Sequence, residues 1–215
     1  MNTRILGVRH GETKWNKAGI QQGHLNRDLT DAGVSQAKAL AQGLKAYEFD
    51  ALYSSDLGLA VGTAEEISKV IGKEFKREER LRERNLGLMQ GLSKDEFADK
   101  YPEEWKRFQS GDPEYRLPDG ESSMDRYVRA IECIEELVEK NKGKTFLIVS
   151  HGGIVMSLFY KALKIPIEKY GNESIMKSYK SDTDTGAVHL FNIWTWQVRS
   201  ITLLWYFYSM RTPIQ

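Results

Sequence analysis

Histidine, arginine and glutamate at the ends of apolar runs define the chemistry this 215-residue chain can do. Of its four histidines, His10, His24, His151 and His189, two close short apolar runs and precede glycine. Ile5 to Val8 ends in Arg9-His10-Gly11-Glu12, and Thr145 to Val149 ends in Ser150-His151-Gly152-Gly153. If the two runs are neighbouring strands, both imidazoles meet at one sheet edge. A glycine after each histidine lets the backbone turn sharply and lets a ligand approach closely, which puts Gly152 among the substrate contacts. Arg9 adds a guanidinium fork that matches a phosphate or carboxylate in two places. A site of Arg and two His suits a dianion better than a metal, because no further carboxylate or Cys stands at ligand spacing beside them. No metal and no cofactor is therefore expected. Histidine can also act as a nucleophile when one ring nitrogen is held by a hydrogen bond and the other presents its lone pair. Attack on a phosphoryl group gives a phosphohistidine, which water opens. Cations must hold the equatorial oxygens, and a carboxyl must protonate the leaving alkoxide. Glu83, in the turn after Arg82, is a candidate acid, and Glu12 is another.

The elements that must position these groups are legible in outline. Short apolar runs bounded by Gly fit buried parallel strands. Thr30 can cap a helix in which Ala37, Leu40, Ala41 and Leu44 form one apolar face. Ala51 to Tyr53 reads as the next strand and Ala60 to Ile71 as a helix. Phe75 to Glu78 is a further strand. Residues 93 to 110 read as helix with a break at Pro102, and a helix from Ser122 to Asn141 precedes the strand at Thr145 to Val149. A helix from Ile154 to Leu163 follows. Strands alternating with helices imply an α/β fold, a three-layer α/β/α sandwich with a mostly parallel central sheet. Ligands in such sheets gather at the carboxyl ends of the strands.

Bulk properties exclude several classes. Thirty-one basic residues against 30 acidic ones give a net charge of +1, so no nucleic-acid partner is expected. The single cysteine, Cys133, allows no internal disulfide and fits a reducing compartment. It reads as a small buried apolar side chain. Met1-Asn2-Thr3-Arg4 runs straight into the first strand with no leader, so a cytoplasmic location is expected. The most apolar run, Ile201 to Met210, is too short to span a bilayer as a helix. It is expected to be a strand or packed tail, and no membrane partner is expected.

Val8-Arg9-His10-Gly11-Glu12-Thr13, with Trp15-Asn16 beyond it, resembles the signature of the histidine phosphatase superfamily, which includes cofactor-dependent phosphoglycerate mutase and many small-molecule phosphatases. Leu81 to Gly87 with Gln90-Gly91, Leu117 to Ser122, and Val149 to Gly153 resemble its later motifs in the same order. The resemblance covers about residues 3 to 166. It implies that His10 is the phosphorylated nucleophile, that Arg9 and His151 hold the phosphoryl oxygens with help from Asn16, and that Glu83 gives a proton and later takes one from water. Gln22 and Gly23 match a stretch where relatives place further substrate contacts. It also implies one domain over residues 1–215, with about 93–120 as a small helical lid insertion and 167–215 as a loosely matched tail. Thr185 to Phe191 would be the last core strand of that tail, after a loop from Ser178 to Asp184.

Relatives carry Arg four residues after the Ser that ends the second strand, and often Gln three residues further on. Here Ser55 is followed by Leu59 and then Gly62, so one of two guanidinium clamps is missing. Mutases of the superfamily carry a longer insertion with an Arg-Arg pair, which this chain lacks. Lys94, Lys100, Lys106, Arg107 and Arg116 are nevertheless candidate cations over the pocket, and Tyr101, Trp105, Phe108 and Tyr115 would suit a lid, although packing is the commoner fate of such aromatics. The expected function is a metal-independent phosphatase of small phosphorylated metabolites, slowed by Leu59. Mutase-type phosphoryl transfer and a catalytically weakened phospho-ligand or partner-binding homologue are the alternatives. The substrate stays open among phosphoserine, phosphoglycerates and sugar phosphates. The tail aromatics Trp194, Trp196 and Trp205 would cover a homodimer contact.

Overall fold

The alternation of apolar residues along two strands divides the core. Ile5 packs to one side of the sheet and Leu6 to the other, as do Phe146 and Ile148 against Leu147 and Val149. The structure is a computed structural model and describes residues 3–169, 188–194 and 197–204. In chain order the elements are β1 (Thr3–Arg9), α1 (Lys14–Ala18), α2 (Asp31–Leu44), β2 (Ala51–Ser54), α3 (Gly58–Ile71), β3 (Phe75–Arg77), α4 (Lys94–Lys100), α5 (Pro102–Gln109), α6 (Ser123–Lys140), β4 (Thr145–Ser150), α7 (Gly152–Leu163), β5 (Val188–Trp194) and β6 (Gln197–Leu204). The strands lie in the order β3-β2-β4-β1-β5-β6. The first four are parallel, and β5 and β6 join antiparallel at the edge beside β1.

Helices cover both faces. Ala130, Cys133, Ile134 and Leu137 of α6, with Ile154 and Leu158 of α7, pack on one side. Ala41 and Leu44 of α2, with Ala64 and Ile67 of α3, pack on the other. The fold is the expected three-layer α/β/α arrangement with a mostly parallel sheet. Burial pushes the Cys133 thiol up to about 12, so it is a packed apolar group with no thiolate chemistry at neutral pH.

Caps set where the helices start. Thr30 accepts from the Gly33 amide and begins α2. Ser122 and Asp125 form a reciprocal capping box at α6, and Ser93 and Glu96 another at α4. Pro102 ends the α4 pattern and serves as the first residue of α5, where its missing N–H has no partner to lose.

The insertion differs from the expectation in what its side chains do. Phe97, Tyr101, Trp105, Phe108 and Tyr115 pack with Met89 and Leu117 into a small core of their own. Arg107 pairs with Glu104 at 3.6 Å, Arg116 pairs with Asp125 at 2.8 Å, and the Lys100 ammonium lies over the Tyr101 ring. Aromatics placed at helical spacing bury one another before they can face a ligand.

In the tail, the strand expected at Thr185 to Phe191 is β5, starting at Val188, and the apolar run from Ile201 begins within β6. Ser178 to Asp184, Trp196, and the stretch from Trp205 to Met210 lie outside the described residues. No helix among the described residues is long and apolar enough to cross a membrane.

Candidate active site

The parallel pairing of β1 with β4 aligns Val8 with Val149 and Arg9 with Ser150, so His10 and His151 leave the sheet side by side. Their ring centroids are 5.3 Å apart and tilted by 59°. The His10 amide donates to the Ser150 carbonyl at 2.9 Å, and the Ser55 amide donates to the Val149 carbonyl at 2.9 Å. Three strand ends are thus tied at one point, the carboxyl edge of the sheet.

The turn after His10 is packed as tightly as backbone allows. A side chain on Gly11 would collide with the Gly33 carbonyl, and one on Gly33 would collide with the Glu12 backbone. The Gly11 amide donates to Thr63 Oγ1 at 3.0 Å, and Thr63 Oγ1 donates to the Leu59 carbonyl at 2.9 Å. Helices α2 and α3 therefore hold the histidine turn from two sides.

The ring of His10 has one committed nitrogen. Its Nδ1 lies 2.7 Å from the Gly11 carbonyl oxygen, which can only accept, so Nδ1 carries the proton. The lone pair is then on Nε2. Burial first, then the charges of His151 and Arg9, hold His10 well below the ordinary histidine range, so the ring is neutral at pH 7. His151 is 2 % exposed, with Nε2 2.8 Å from Ser55 Oγ. Its pKa falls to about 3, mainly through burial and then through Arg9. Nδ1 is the nitrogen of His151 that can serve a ligand.

Glu83 is seated by backbone amides. Oε1 accepts from the Arg84 amide and Oε2 from the Gly153 amide, each at 2.9 Å. Its own carbonyl accepts from His24 Nε2 at 2.7 Å and from Arg129 at 3.2 Å. Arg129 also reaches the Arg80 and Arg82 carbonyls and the Glu121 carboxylate, stapling the acid-bearing turn to α6. Arg82 grips Asp56 bidentately through its Nε and Nη2, at 2.8 and 2.5 Å, which joins that turn to the start of α3 and lowers the Asp56 pKa.

Eight of the residues singled out in the sequence line one cavity of about 330 Å³: Arg9, His10, Asn16, Gln22, Gly23, Glu83, His151 and Gly152. Gly19, Ile20, Gln21 and Leu59 complete its wall. Asn16 Oδ1 accepts from the Thr13 amide at 3.1 Å, which commits the oxygen to the cap of α1 and leaves the amide nitrogen as the donor end. Gln22 Oε1 accepts from Thr13 Oγ1 at 2.9 Å and is committed in the same sense. Gly23 has φ +54°, and a Cβ there would run into the Gln90 side chain, so this glycine has a backbone reason as well as a place on the wall.

Glu12, the other candidate acid, is not part of this wall. Its Oε1 accepts from Thr30 Oγ1 at 2.8 Å and its carbonyl from the Thr30 amide, so it anchors the start of α2. None of Lys94, Lys100, Lys106, Arg107 and Arg116 lines the cavity. A larger cavity of about 720 Å³ opens at the opposite end of the sheet beside Arg4, Asp50 and Thr145. It is lined by no histidine, so volume and chemistry point to different places and the chemistry decides. Among the described residues no group of three or more His, Cys, Asp or Glu could hold a metal ion.

Residues 5–183 match the model of the histidine phosphatase superfamily, branch 1. The chain belongs to that superfamily. It is 40 % identical over 176 residues to phosphoglycerate mutase-like protein 4 of Arabidopsis thaliana, covering 80 % of this chain and 76 % of the relative. It is 38 % identical over 162 residues to a metal-independent phosphoserine phosphatase of the same plant, covering 74 % and 68 %. The solved structure of Bacillus stearothermophilus YhfR superposes with a TM-score of 0.78 at 29 % identity, covering 94 % of this chain and 96 % of that one.

Several site groups were not singled out in the sequence. Ser55 and His24 sit in stretches that were read for other reasons. Arg126 had a signal of its own: it occupies the apolar stripe of α6, four residues before Ala130 and eight before Ile134, and is 4 % exposed. A charged residue in a buried stripe marks a site worth explaining.

Proposed function

We propose that this histidine phosphatase hydrolyses small organic phosphomonoesters, without a metal, through a phosphohistidine on His10 Nε2. The observation that carries the reading is the fixed tautomer of His10. Nδ1 donates to Gly11, so the neutral ring offers Nε2 as nucleophile beside Arg9, His151 and Glu83. In the first step Nε2 attacks phosphorus, the ester P–O bond breaks, and a proton from Glu83 goes to the leaving oxygen. In the second, Glu83 takes a proton from water, the water oxygen bonds phosphorus, and the N–P bond breaks to release phosphate. Arg9, His151 Nδ1, the Asn16 amide and the amide end of α7 serve the oxygens as charge spreads over them.

Leu59 limits this reaction. It lines the phosphoryl end of the cavity, where a guanidinium would stand in the family pattern, so the site has Arg9 as the permanent cation on its wall. The rate is accordingly low. The mutase alternative finds no support in the insertion, whose five candidate cations are absent from the cavity wall. The binding-protein alternative is favoured by Leu59 alone. For substrate class, the polar wall of Asn16, Gln21 and Gln22 suits a small hydroxy-acid or amino-acid phosphate, and one relative is a phosphoserine phosphatase. The test is turnover of O-phosphoserine and 4-nitrophenyl phosphate in EDTA, with trapping of an acid-labile phosphoprotein. Turnover and trapped phosphate that both vanish in His10→Ala support the reading. Turnover that survives His10→Ala overturns it.

A further inference from the structure

Arg126 does not touch the cavity, yet it is the one charged group of α6's apolar stripe. Its Nη1 stands 3.9 Å from Glu83 Oε1, at 4 % side-chain exposure against 23 % for Glu83. A guanidinium at that depth is costly to desolvate, and an apolar side chain would fill the stripe without that penalty. Its placement therefore calls for a role beyond packing.

The geometry around Glu83 supplies one. The carboxylate is gripped from three elements. Arg84, in its own turn, donates to Oε1, and Gly153, at the start of α7, donates to Oε2. Arg126, from α6, faces Oε1 from below. Two amides fix the plane of the carboxylate. The guanidinium, buried and absent from the cavity lining, adds a charge that draws the group against its seat. Gly153 is where the pieces meet: a Cβ on it would collide with both Glu83 Oε1 and Arg126 Nη1. A glycine at 153 is what lets the carboxylate and the guanidinium approach the same backbone atom.

We propose that Arg126 is a positioning residue for Glu83, seating its carboxylate for proton transfer, and that Gly153 provides the room for the pair. The proposal rests on the reading of Glu83 as the proton donor given above. It predicts that Arg126 acts on the rate through Glu83, since Arg126 itself is not among the residues that line the cavity.

The test uses two substrates of matched shape, phenyl phosphate and 4-nitrophenyl phosphate. Phenol is the poorer leaving group and needs the proton more. For Arg126→Met, whose apolar side chain suits the stripe, kcat/KM falls on the order of tenfold with phenyl phosphate and by about threefold or less with 4-nitrophenyl phosphate. Affinity for orthovanadate stays within about twofold of the parent. In a Glu83→Gln background, adding Arg126→Met costs less than about twofold on either substrate, because coupled residues are not additive. Arg126→Gln, which keeps a polar group without the charge, gives the same leaving-group dependence, so the test stands if Arg126→Met does not fold. Equal losses on both substrates, or an undiminished loss in the Glu83→Gln background, overturn the role of Arg126 while leaving the acid in place. If Glu83→Gln itself loses equally on both substrates, the acid assignment fails and this proposal falls with it.

Discussion

Leu59→Arg tests the reading of this site most directly. Leu59 is the second residue of α3, 2 % exposed, and shares the cavity wall with Arg9, His10 and His151. Its carbonyl accepts from Thr63 Oγ1, which in turn accepts from the Gly11 amide, so the backbone at 59 is fixed relative to the His10 turn. An arginine there needs no backbone change, because the cavity of about 330 Å³ lies in front of it. A preorganised charge-assisted donor on the transferring phosphoryl group contributes about 3–4 kcal/mol to the transition state. Against this stand the lost leucine burial, partly retained by the arginine stem, and repulsion from Arg9 in the empty site, together about 1–2 kcal/mol. The balance is roughly 1–3 kcal/mol, or about five- to 150-fold in kcat/KM. Three readouts move together: the unliganded protein melts at lower temperature, phosphate or vanadate stabilises it more than it does the parent, and 4-nitrophenyl phosphate turns over faster in EDTA. Leu59→Gln adds length without charge and gives little of the gain. A Leu59→Arg protein that is folded, yet binds vanadate no tighter and turns over no faster, refutes the claim that a missing cation limits this enzyme.

Other outcomes follow from the same geometry. His10→Asn lowers kcat by at least about a thousandfold and leaves no acid-labile phosphoprotein, while vanadate still stabilises the fold; quench-flow with labelled substrate reads this. His10 and His151 are neutral when folded and refuse protons that an unfolded histidine accepts below about pH 6.5. The unfolded state therefore binds more protons there, and stability falls with pH from about 6.5 towards the His151 value of about 3, by up to about 1.4 kcal/mol per pH unit for each histidine. Urea melts at pH 7.5, 6.0 and 5.0 measure the slope, and His151→Asn flattens it. A bound phosphate dianion favours protonation of the same rings, so calorimetry in buffers of different ionisation enthalpy records proton uptake on binding. Gly33→Ala, a change that ordinarily stabilises a helix interior, destabilises by about 2–3 kcal/mol here because its methyl meets the Glu12 backbone. Chemical denaturation gives that difference, and activity falls along with it because α2 is pushed off the His10 turn.

How much was legible depended on whether a residue's task showed in its neighbours along the chain. The strands announced themselves as apolar runs closed by His-Gly, and their parallel pairing brought both histidines to one edge without further information. Thr30, Ser122 and Pro102 sit at helix starts because their local chemistry demands it. The acid was narrower than the pattern suggested. Glu12 and Glu83 look alike in the sequence, and what separates them is tertiary: Thr30 captures the first and the Gly153 amide seats the second. The insertion shows the same limit: its lysines and arginines are open candidates for pocket charge in the sequence, and only the fold shows that Glu104 and Asp125 take two of them and that the aromatics pack together. Charge counted along a chain says nothing of which way a helix faces.

The site as built handles a doubly charged ligand with few permanent charges. Arg9 contributes one cation to the cavity wall and Glu83 one carboxylate, while both histidines are kept neutral by burial and by Arg9 itself. That arrangement serves a nucleophile, since a protonated His10 has no lone pair on Nε2. It serves binding less well, because a neutral His151 is a weaker partner for a phosphoryl oxygen than a charged one. Phosphate must then bring its own proton to the pocket or draw one in. A guanidinium at position 59 would relieve this need, since it carries its charge at every working pH. Leu59→Arg should therefore do more than raise the rate. It should also weaken the proton uptake that accompanies phosphate binding, and with it the loss of affinity as pH rises. An arginine variant that binds phosphate with the parent's full pH dependence would show that the two effects are unconnected.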